Sequence, residues 1–305
     1  MRPSDQINEA QALLDVAPDH ASAPTRRTAL KLGLGVGVGY AAGEAVMAQT
    51  AISTPSDDLL SGEVQINVNG TAIAAYRSQP EGQTGLPVVL VLSEIFGVHE
   101  YIADITRRLA RLGYLAIAPE LFARQGDAKS YTDIPTLMKE VVAKVPDAQV
   151  TADVDATVAW AAANGGDTAR LAVTGFCWGG RQTWLYAMHN PQVKAGVAWY
   201  GRLEGQGNPL QPRHPLELAA ELKAPVLGLY GEADTGISLD SVAKMKAALK
   251  AAGEAGNAAA AGSEFVTYGD APHAFHADYR PSYRPRAAED GWGRMLAWFK
   301  SHGVA

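Results

Sequence analysis

The sequence predicts an α/β fold, with a mostly parallel sheet, helices on both of its faces and an N-terminal β-hairpin. Three observations point there. Apolar runs such as Val88-Leu92 and Val226-Tyr230 lack the alternation of a half-exposed strand, so they read as strands buried on both faces. Segments with helical spacing alternate with these runs along the chain, the pattern of repeated strand–helix units. Two alternating segments near the start, Glu63-Val68 and Thr71-Tyr76, are joined by Asn69-Gly70, a dipeptide suited to a tight hairpin turn.

After the hairpin comes the Val88-Leu92 strand. Tyr101-Leu112 has helical spacing through Ile102, Ile105, Leu109 and Leu112, and Leu115-Ala118 is a short strand stopped by Pro119. A long helix is expected over Ala148-Ala163, where Val150, Val154, Val158 and Ala161 share a face. The Leu171-Thr174 strand follows, with a helix over Arg181-Met188, then strands at Ala195-Tyr200 and Val226-Tyr230. Leu239-Ala252 is helical, Phe265-Tyr268 is a strand, and Ala287-Ser301 closes the chain as an amphipathic helix. The Ala/Gly-rich Ala251-Gly262 reads as a helix end and a surface loop.

With 47% hydrophobic content, the 305 residues can bury one large core, assigned to a single catalytic domain over residues 51–305. A net charge of -6 argues against a nucleic-acid partner. No C-x-x-C pair or H-E-x-x-H helix occurs, so neither a metal nor another cofactor is expected. The single cysteine cannot form an internal disulfide. Residues 1–50 read as an export segment. Arg26-Arg27 precede a weakly hydrophobic run from Leu32 to Gly43 and a candidate cleavage point near Ala48, which looks like a twin-arginine (Tat) export signal. That run is too short and glycine-rich for a membrane span. The expectation is a periplasmic or secreted protein that meets the Tat export machinery and has no stable membrane span in its mature form.

The cysteine stands in Gly175-Phe176-Cys177-Trp178-Gly179-Gly180, between a strand and a helix. Glycines on both sides permit the sharp turn of a nucleophile elbow, with a thiol where serine is usual. The competing reading is a small buried residue in a tight turn. Ligands bind beyond the carboxyl ends of the strands in a parallel sheet, so polar residues there are candidates. Glu94, Cys177, Asp234 and His273 all follow strand ends, and nucleophile, acid, histidine is the chain order of α/β-hydrolases. In such a site His273 takes the thiol proton, Asp234 fixes the imidazole, and the N–H groups of Trp178 and Ile95 form the oxyanion hole. Asp240 and Asp270 compete with Asp234, but Asp240 suits a helix first turn and Asp270 is too near His273 in sequence. Glu94 is either a solvated loop carboxylate or a proton acceptor for the thiol. His99 and Tyr200 are candidate substrate contacts, His276 is placed at the pocket or the surface, and His189, His214 and His302 at the surface.

Together, Ser93-Glu94-Ile95-Phe96-Gly97-Val98, Ala118-Pro119-Glu120-Leu121-Phe122-Ala123-Arg124-Gln125, the cysteine elbow, Gly231-Glu232-Ala233-Asp234 and His273-Ala274-Phe275 give a specific pattern. From about residue 60 to the C-terminus the chain resembles the dienelactone hydrolase (carboxymethylenebutenolidase) family of α/β-hydrolases. The resemblance implies a Cys177–His273–Asp234 triad, a Glu94 that contacts the resting thiol and helps to ionise it, and cofactor-free hydrolysis of a small-molecule lactone or ester through an acyl-thioester. One feature departs from it. The family's carboxylate-holding arginine four residues beyond the histidine is Ala277 here, and no arginine lies between Arg124 and Asp147. Arg280 and Arg284 are candidate substitutes, with Lys139 and Lys144 of less specific geometry. The alternative is a non-catalytic ligand-binding or redox-responsive thiol protein.

Overall fold

The computed structural model describes residues 51–305, so the twin-arginine segment and the export reading lie outside the described residues. Strands β1 (Leu59–Val68) and β2 (Thr71–Pro80) pair antiparallel with Val68 opposite Thr71. The turn between them places Asn69 at φ 51° and Gly70 at φ 88°, left-handed at both positions as a two-residue hairpin turn requires. Six more strands follow: β3 (Leu86–Leu92), β4 (Leu115–Pro119), β5 (Gly166–Phe176), β6 (Val193–Trp199), β7 (Val226–Gly231) and β8 (Glu264–Tyr268). They form one sheet in the order β1-β2-β4-β3-β5-β6-β7-β8. β2 meets β4 antiparallel, and every junction from β4 to β8 is parallel. This is the α/β-hydrolase architecture.

Helices α1 (Glu100–Ala110), α2 (Ile134–Glu140), α3 (Asp147–Ala163), α4 (Trp178–His189), α5 (Leu239–Glu254), α6 (Ala258–Ala261) and α7 (Pro285–Ser301) cover the sheet. α1 packs on β2 and β4, α7 on β6 and β7, and α3 and α4 on the central strands. All of β3, β4 and β7 is buried, which explains their unbroken apolar sequence. Each fully buried Val or Leu there contributes roughly 1.5–3 kcal/mol.

Some expectations are corrected. The first helix stops at Ala110, and Leu112 lies beyond it, about half exposed at 52%. Part of the expected Ala251-Gly262 loop is the short helix α6, whose Ala260 N–H donates to Asn257 Oδ1 at 2.9 Å. Helix α2, absent from the sequence reading, starts at Asp133, whose carboxylate accepts from Thr136 N–H at 2.8 Å.

A buried ionic network fastens α1 to its surroundings. Arg108 donates to Asp104 on the same helix and to Asp278 in the loop after β8, both at 2.5 Å. Asp104 also accepts from Thr54 N–H at 2.6 Å, and Arg107 Nε donates to the Thr54 carbonyl at 3.1 Å. The start of the domain and the loop beyond β8 are thus tied to one helix.

The elbow needs its glycines because backbones touch there. A Cβ on Gly179 would stand 2.1 Å from the Leu92 carbonyl oxygen, and one on Gly175 2.2 Å from that of Gly179. Gly179→Ala is expected to lower unfolding free energy by about 3 kcal/mol, because backbone rather than a flexible side chain must shift. Urea titration measures this; an unchanged midpoint would refute the close β3–α4 approach.

Candidate active site

Strand register assembles the site. Leu92 pairs with Gly175, Phe176 with Trp199, Trp199 with Leu229, and Gly231 with Tyr268. Glu94, Cys177, Tyr200, Asp234 and His273 each follow one of these paired positions by a few residues, so they share the carboxyl edge of the sheet.

Cys177 sits at φ 54° and ψ −114°, between β5 and α4. Its N–H donates to the Trp199 carbonyl at 3.0 Å, and its own carbonyl accepts from Arg181 N–H at 3.2 Å. Among the described residues five non-glycine positions have positive φ, and three of them, Cys177, Tyr200 and Ala274, line one cavity. Such conformations cost about 1–3 kcal/mol each and persist only where the surroundings impose them. Their clustering singles out this cavity as the candidate site.

Asp234 and His273 are both buried. Asp234 Oδ1 accepts from the N–H groups of Gly236 at 2.8 Å and Ile237 at 3.0 Å. Its Oδ2 lies 2.7 Å from His273 Nδ1. With a carboxylate as partner Nδ1 must carry hydrogen, so in the neutral ring Nε2 is the acceptor nitrogen. Nε2 is buried without a hydrogen-bond partner. Tyr200 links this pair to the cysteine: it lines the cavity beside Cys177, and its ring meets that of His273 edge-on at 5.2 Å.

Glu94 lines the same cavity. Its Oε1 lies 2.6 Å from His99 Nε2 and accepts from the Tyr279 hydroxyl at 2.9 Å. Burial alone would raise this carboxyl, but the charge and hydrogen bond of His99, a backbone N–H and the Tyr279 hydroxyl outweigh it and hold Glu94 below its ordinary value. Burial, followed by the charges of Glu94 and Cys177, pushes the Tyr200 phenol well up, so it stays neutral. The cavity holds about 10 Å³, the space of one water. A wider open groove of about 520 Å³, lined by Lys246, Leu249 and Phe265, shares no residue with it.

The remaining candidates separate. Arg280 lines the cavity, with its guanidinium 5.7 Å from the Phe96 ring centroid. Arg284 does not line it; its guanidinium donates to the carbonyls of Pro281 and Tyr283. Lys139 and Lys144 pair with Glu140 on the surface. His99 engages Glu94 rather than lining the cavity. Ile95 is buried in the loop after β3, and Trp178 opens α4, where its N–H lacks an intrahelical acceptor. Asp240 pairs with Lys244 in the first turn of α5, and Asp270 is exposed. His189 and His302 are at least partly exposed.

Two histidines overturn the expectation. His214 is buried, not superficial: Arg181 Nε donates to its Nδ1 at 3.3 Å, and Arg181 grips Asp147 at 2.7 and 2.8 Å. Burial, then the cations Arg181 and Arg202, lowers its pKa to about 4. His276 lies beneath the cavity, with its ring 4.5 Å from that of Trp199 and its Nδ1 2.6 Å from the Tyr101 hydroxyl. Burial, then Arg108, pushes its imidazole well below the usual range, so it is a neutral acceptor for Tyr101. Tyr101, Phe176 and Tyr279 complete the cavity wall unforeseen; the signal for Tyr101 and Tyr279 was their closeness in sequence to His99 and Arg280.

The dienelactone hydrolase family profile matches residues 73–303. A provisionally named carboxymethylenebutenolidase from Methylorubrum extorquens is 55% identical over 282 residues, 92% of this chain and 94% of the relative. Another from Escherichia coli is 54% identical over 266 residues, 87% of this chain and 96% of that one. A crystal structure from Klebsiella pneumoniae, provisionally titled a dienelactone hydrolase, superposes with a TM-score of 0.76 at 56% identity, covering 79% of this chain and 98% of its own.

The neutral His276 gives a pH test. As pH falls through about 6.5 the unfolded chain protonates this residue and the folded one does not, so stability falls with it. Between roughly pH 7.5 and 5.5 the wild type is expected to lose about 1 kcal/mol more than His276→Gln in urea unfolding. Equal losses would mean that the folded imidazole takes up protons freely.

Proposed function

This chain belongs to the dienelactone hydrolase family and is a hydrolase of that type, and we propose that it cleaves a small lactone or carboxylic ester through Cys177, His273 and Asp234. The supporting observation is the buried His273–Asp234 pair at 2.7 Å, which leaves Nε2 without a partner beside the wall of the cysteine cavity. The sealed position of Cys177, 1% exposed, favours this over a redox sensor, whose thiol is normally solvent-accessible.

In the proposed sequence the Cys177 thiol gives its proton to His273 Nε2 and the thiolate adds to the carbonyl carbon. The N–H groups of Trp178 and Ile95 receive the oxyanion. Collapse breaks the bond to the leaving oxygen, which takes the proton back from the imidazolium; Asp234 stabilises that cation while it exists. In a lactone the leaving oxygen stays tethered to the acyl group. Water then loses a proton to His273 and adds to the thioester carbon. Collapse releases the acid, and the sulfur recovers the proton. Glu94 stands in the cavity as a second acceptor for the thiol proton. Arg280, a cation in the wall, supports a substrate that carries its own carboxylate. The twin-arginine segment supports export to the periplasm or beyond.

Release of nitrophenol from an activated ester, or of acid from an enol-lactone, tests the scheme. Cys177→Ala is expected to lose at least about 10⁴-fold in kcat/KM. Asp234→Asn keeps the Oδ1 acceptor for Gly236 and Ile237, so it should fold normally yet lose about 10³–10⁴-fold. Near-normal turnover in Cys177→Ala removes the cysteine from the mechanism. Arg280→Gln is expected to raise KM about ten-fold for a lactone bearing a free carboxylate and little for its neutral ester; equal effects would dismiss the carboxylate role.

A further inference from the structure

Glu94 is held in an unusual way for a buried carboxylate. Both of its strong partners, His99 Nε2 at 2.6 Å and the Tyr279 hydroxyl at 2.9 Å, meet the same oxygen, Oε1. Its other oxygen, Oε2, is buried without a hydrogen-bond partner, in a residue that shares a one-water cavity with Cys177. A buried, unsatisfied carboxylate oxygen costs on the order of kcal/mol, so something must keep the group in that pose. The His99 imidazole is fixed for that task on several sides. It stacks on Tyr101 at 6.0 Å and meets Tyr279 edge-on at 5.1 Å and Phe96 at 6.2 Å. Its backbone N–H donates to the Gly97 carbonyl at 3.1 Å, and its carbonyl accepts from Ala103 N–H at 3.0 Å as α1 begins. The side chain remains 21% exposed against 7% for Glu94, so the imidazole meets solvent on one edge while the carboxylate is enclosed.

We propose that His99 is a positioning residue for the reaction: it engages Oε1 and holds the Glu94 carboxylate in place, so that Oε2 stays available to take the proton of the Cys177 thiol. This rests on Cys177 being the nucleophile. On this route the proton moves from Sγ to Oε2 instead of to His273 Nε2 and leaves a thiolate beside a neutral carboxyl; that carboxyl, rather than the imidazolium, then returns the proton, to the leaving oxygen during acylation or to sulfur when the thiol re-forms without substrate. Titratable or charged groups around the pair include Tyr101 and Glu100 on α1, Glu120 after β4, whose carboxylate accepts from Val98 N–H at 3.0 Å, Tyr200 beyond β6, and His276, Tyr279 and Arg280 in the loop after His273. Burial and the Glu94 charge are among the causes that raise all three buried phenols, so these side chains stay neutral beside the carboxylate.

The chain has a single cysteine, so alkylation by iodoacetamide reports Cys177 alone and needs no substrate. Alkylation rate against pH is measured on the full-length protein for the wild type, His99→Ala, His99→Gln, Glu94→Gln and the His99→Ala/Glu94→Gln double variant. His99→Ala is expected to slow alkylation about ten-fold on the acidic side of neutrality and to move the rise of the profile to higher pH. His99→Gln, which keeps a neutral donor, should lose less. In the Glu94→Gln background, removal of His99 should change the profile by less than about two-fold, since its effect runs through that carboxylate. Wild-type profiles in both His99 variants overturn the proposal, as does a full ten-fold loss on top of Glu94→Gln. Should His99→Ala fail to fold, His99→Gln alone and with Glu94→Gln carries the same comparison. Failure of the nucleophile reading shows up separately, as hydrolysis retained by Cys177→Ala.

Discussion

The contact on which the site depends is between backbones, not side chains. Gly179 approaches the end of β3 so closely that no Cβ fits, and Gly175 approaches Gly179 in the same way. That approach starts α4 directly above the sheet and forces Cys177 into a left-handed conformation at φ 54°. The energy to sustain this comes from the sheet itself. Val88 to Leu92 are fully buried beneath the elbow, and β5 is registered to both β3 and β6. A rigid, apolar, parallel core is therefore what allows one residue at its edge to be held where the chain would not otherwise go.

Around that elbow two buried carboxylates are held in different ways. Asp234 has both oxygens engaged, one by two backbone N–H groups and one by His273, so its position is fixed. Glu94 has one oxygen engaged twice and the other not at all. The first arrangement suits a group that orients an imidazole; the second suits one that can still change its state. The aromatic layer of Tyr101, Phe176, Tyr200 and Tyr279 keeps water from levelling the difference.

Much of this was legible in the residues. The apolar runs located the strands because a strand buried on both faces has nowhere to put a polar side chain, and the strand ends then located Glu94, Cys177, Asp234 and His273. The lower half of β5 was not legible: Gly166 to Arg170 are partly buried or exposed, and only the pairing of Gly166 and Asp167 with Leu86 and Pro87, ahead of a bulge, brings this stretch into the sheet. His276 and His214 were misplaced for a related reason. Each is buried against a partner far away in sequence, Tyr101 or Arg181, and a sequence alone gives no hint that a histidine has found one. Arg280 and Arg284 looked equivalent, being four apart in one polar loop. The turn between them aims one at Phe96 and closes the other on its own carbonyls. His99 and Glu94 were nearer to hand, since the bend at Gly97 brings residues five apart face to face.

The one-water cavity around Cys177 has a consequence for how affinity is set. On the proposed reading a lactone or ester is larger than this space, and its binding then draws on the fraction of molecules in which the wall has parted. The observed dissociation constant is then the intrinsic one divided by that fraction. Changes that loosen the Tyr279–Glu94 contact would then tighten apparent binding without adding a single contact to the guest, so that uptake is set by the wall rather than by contacts inside the pocket.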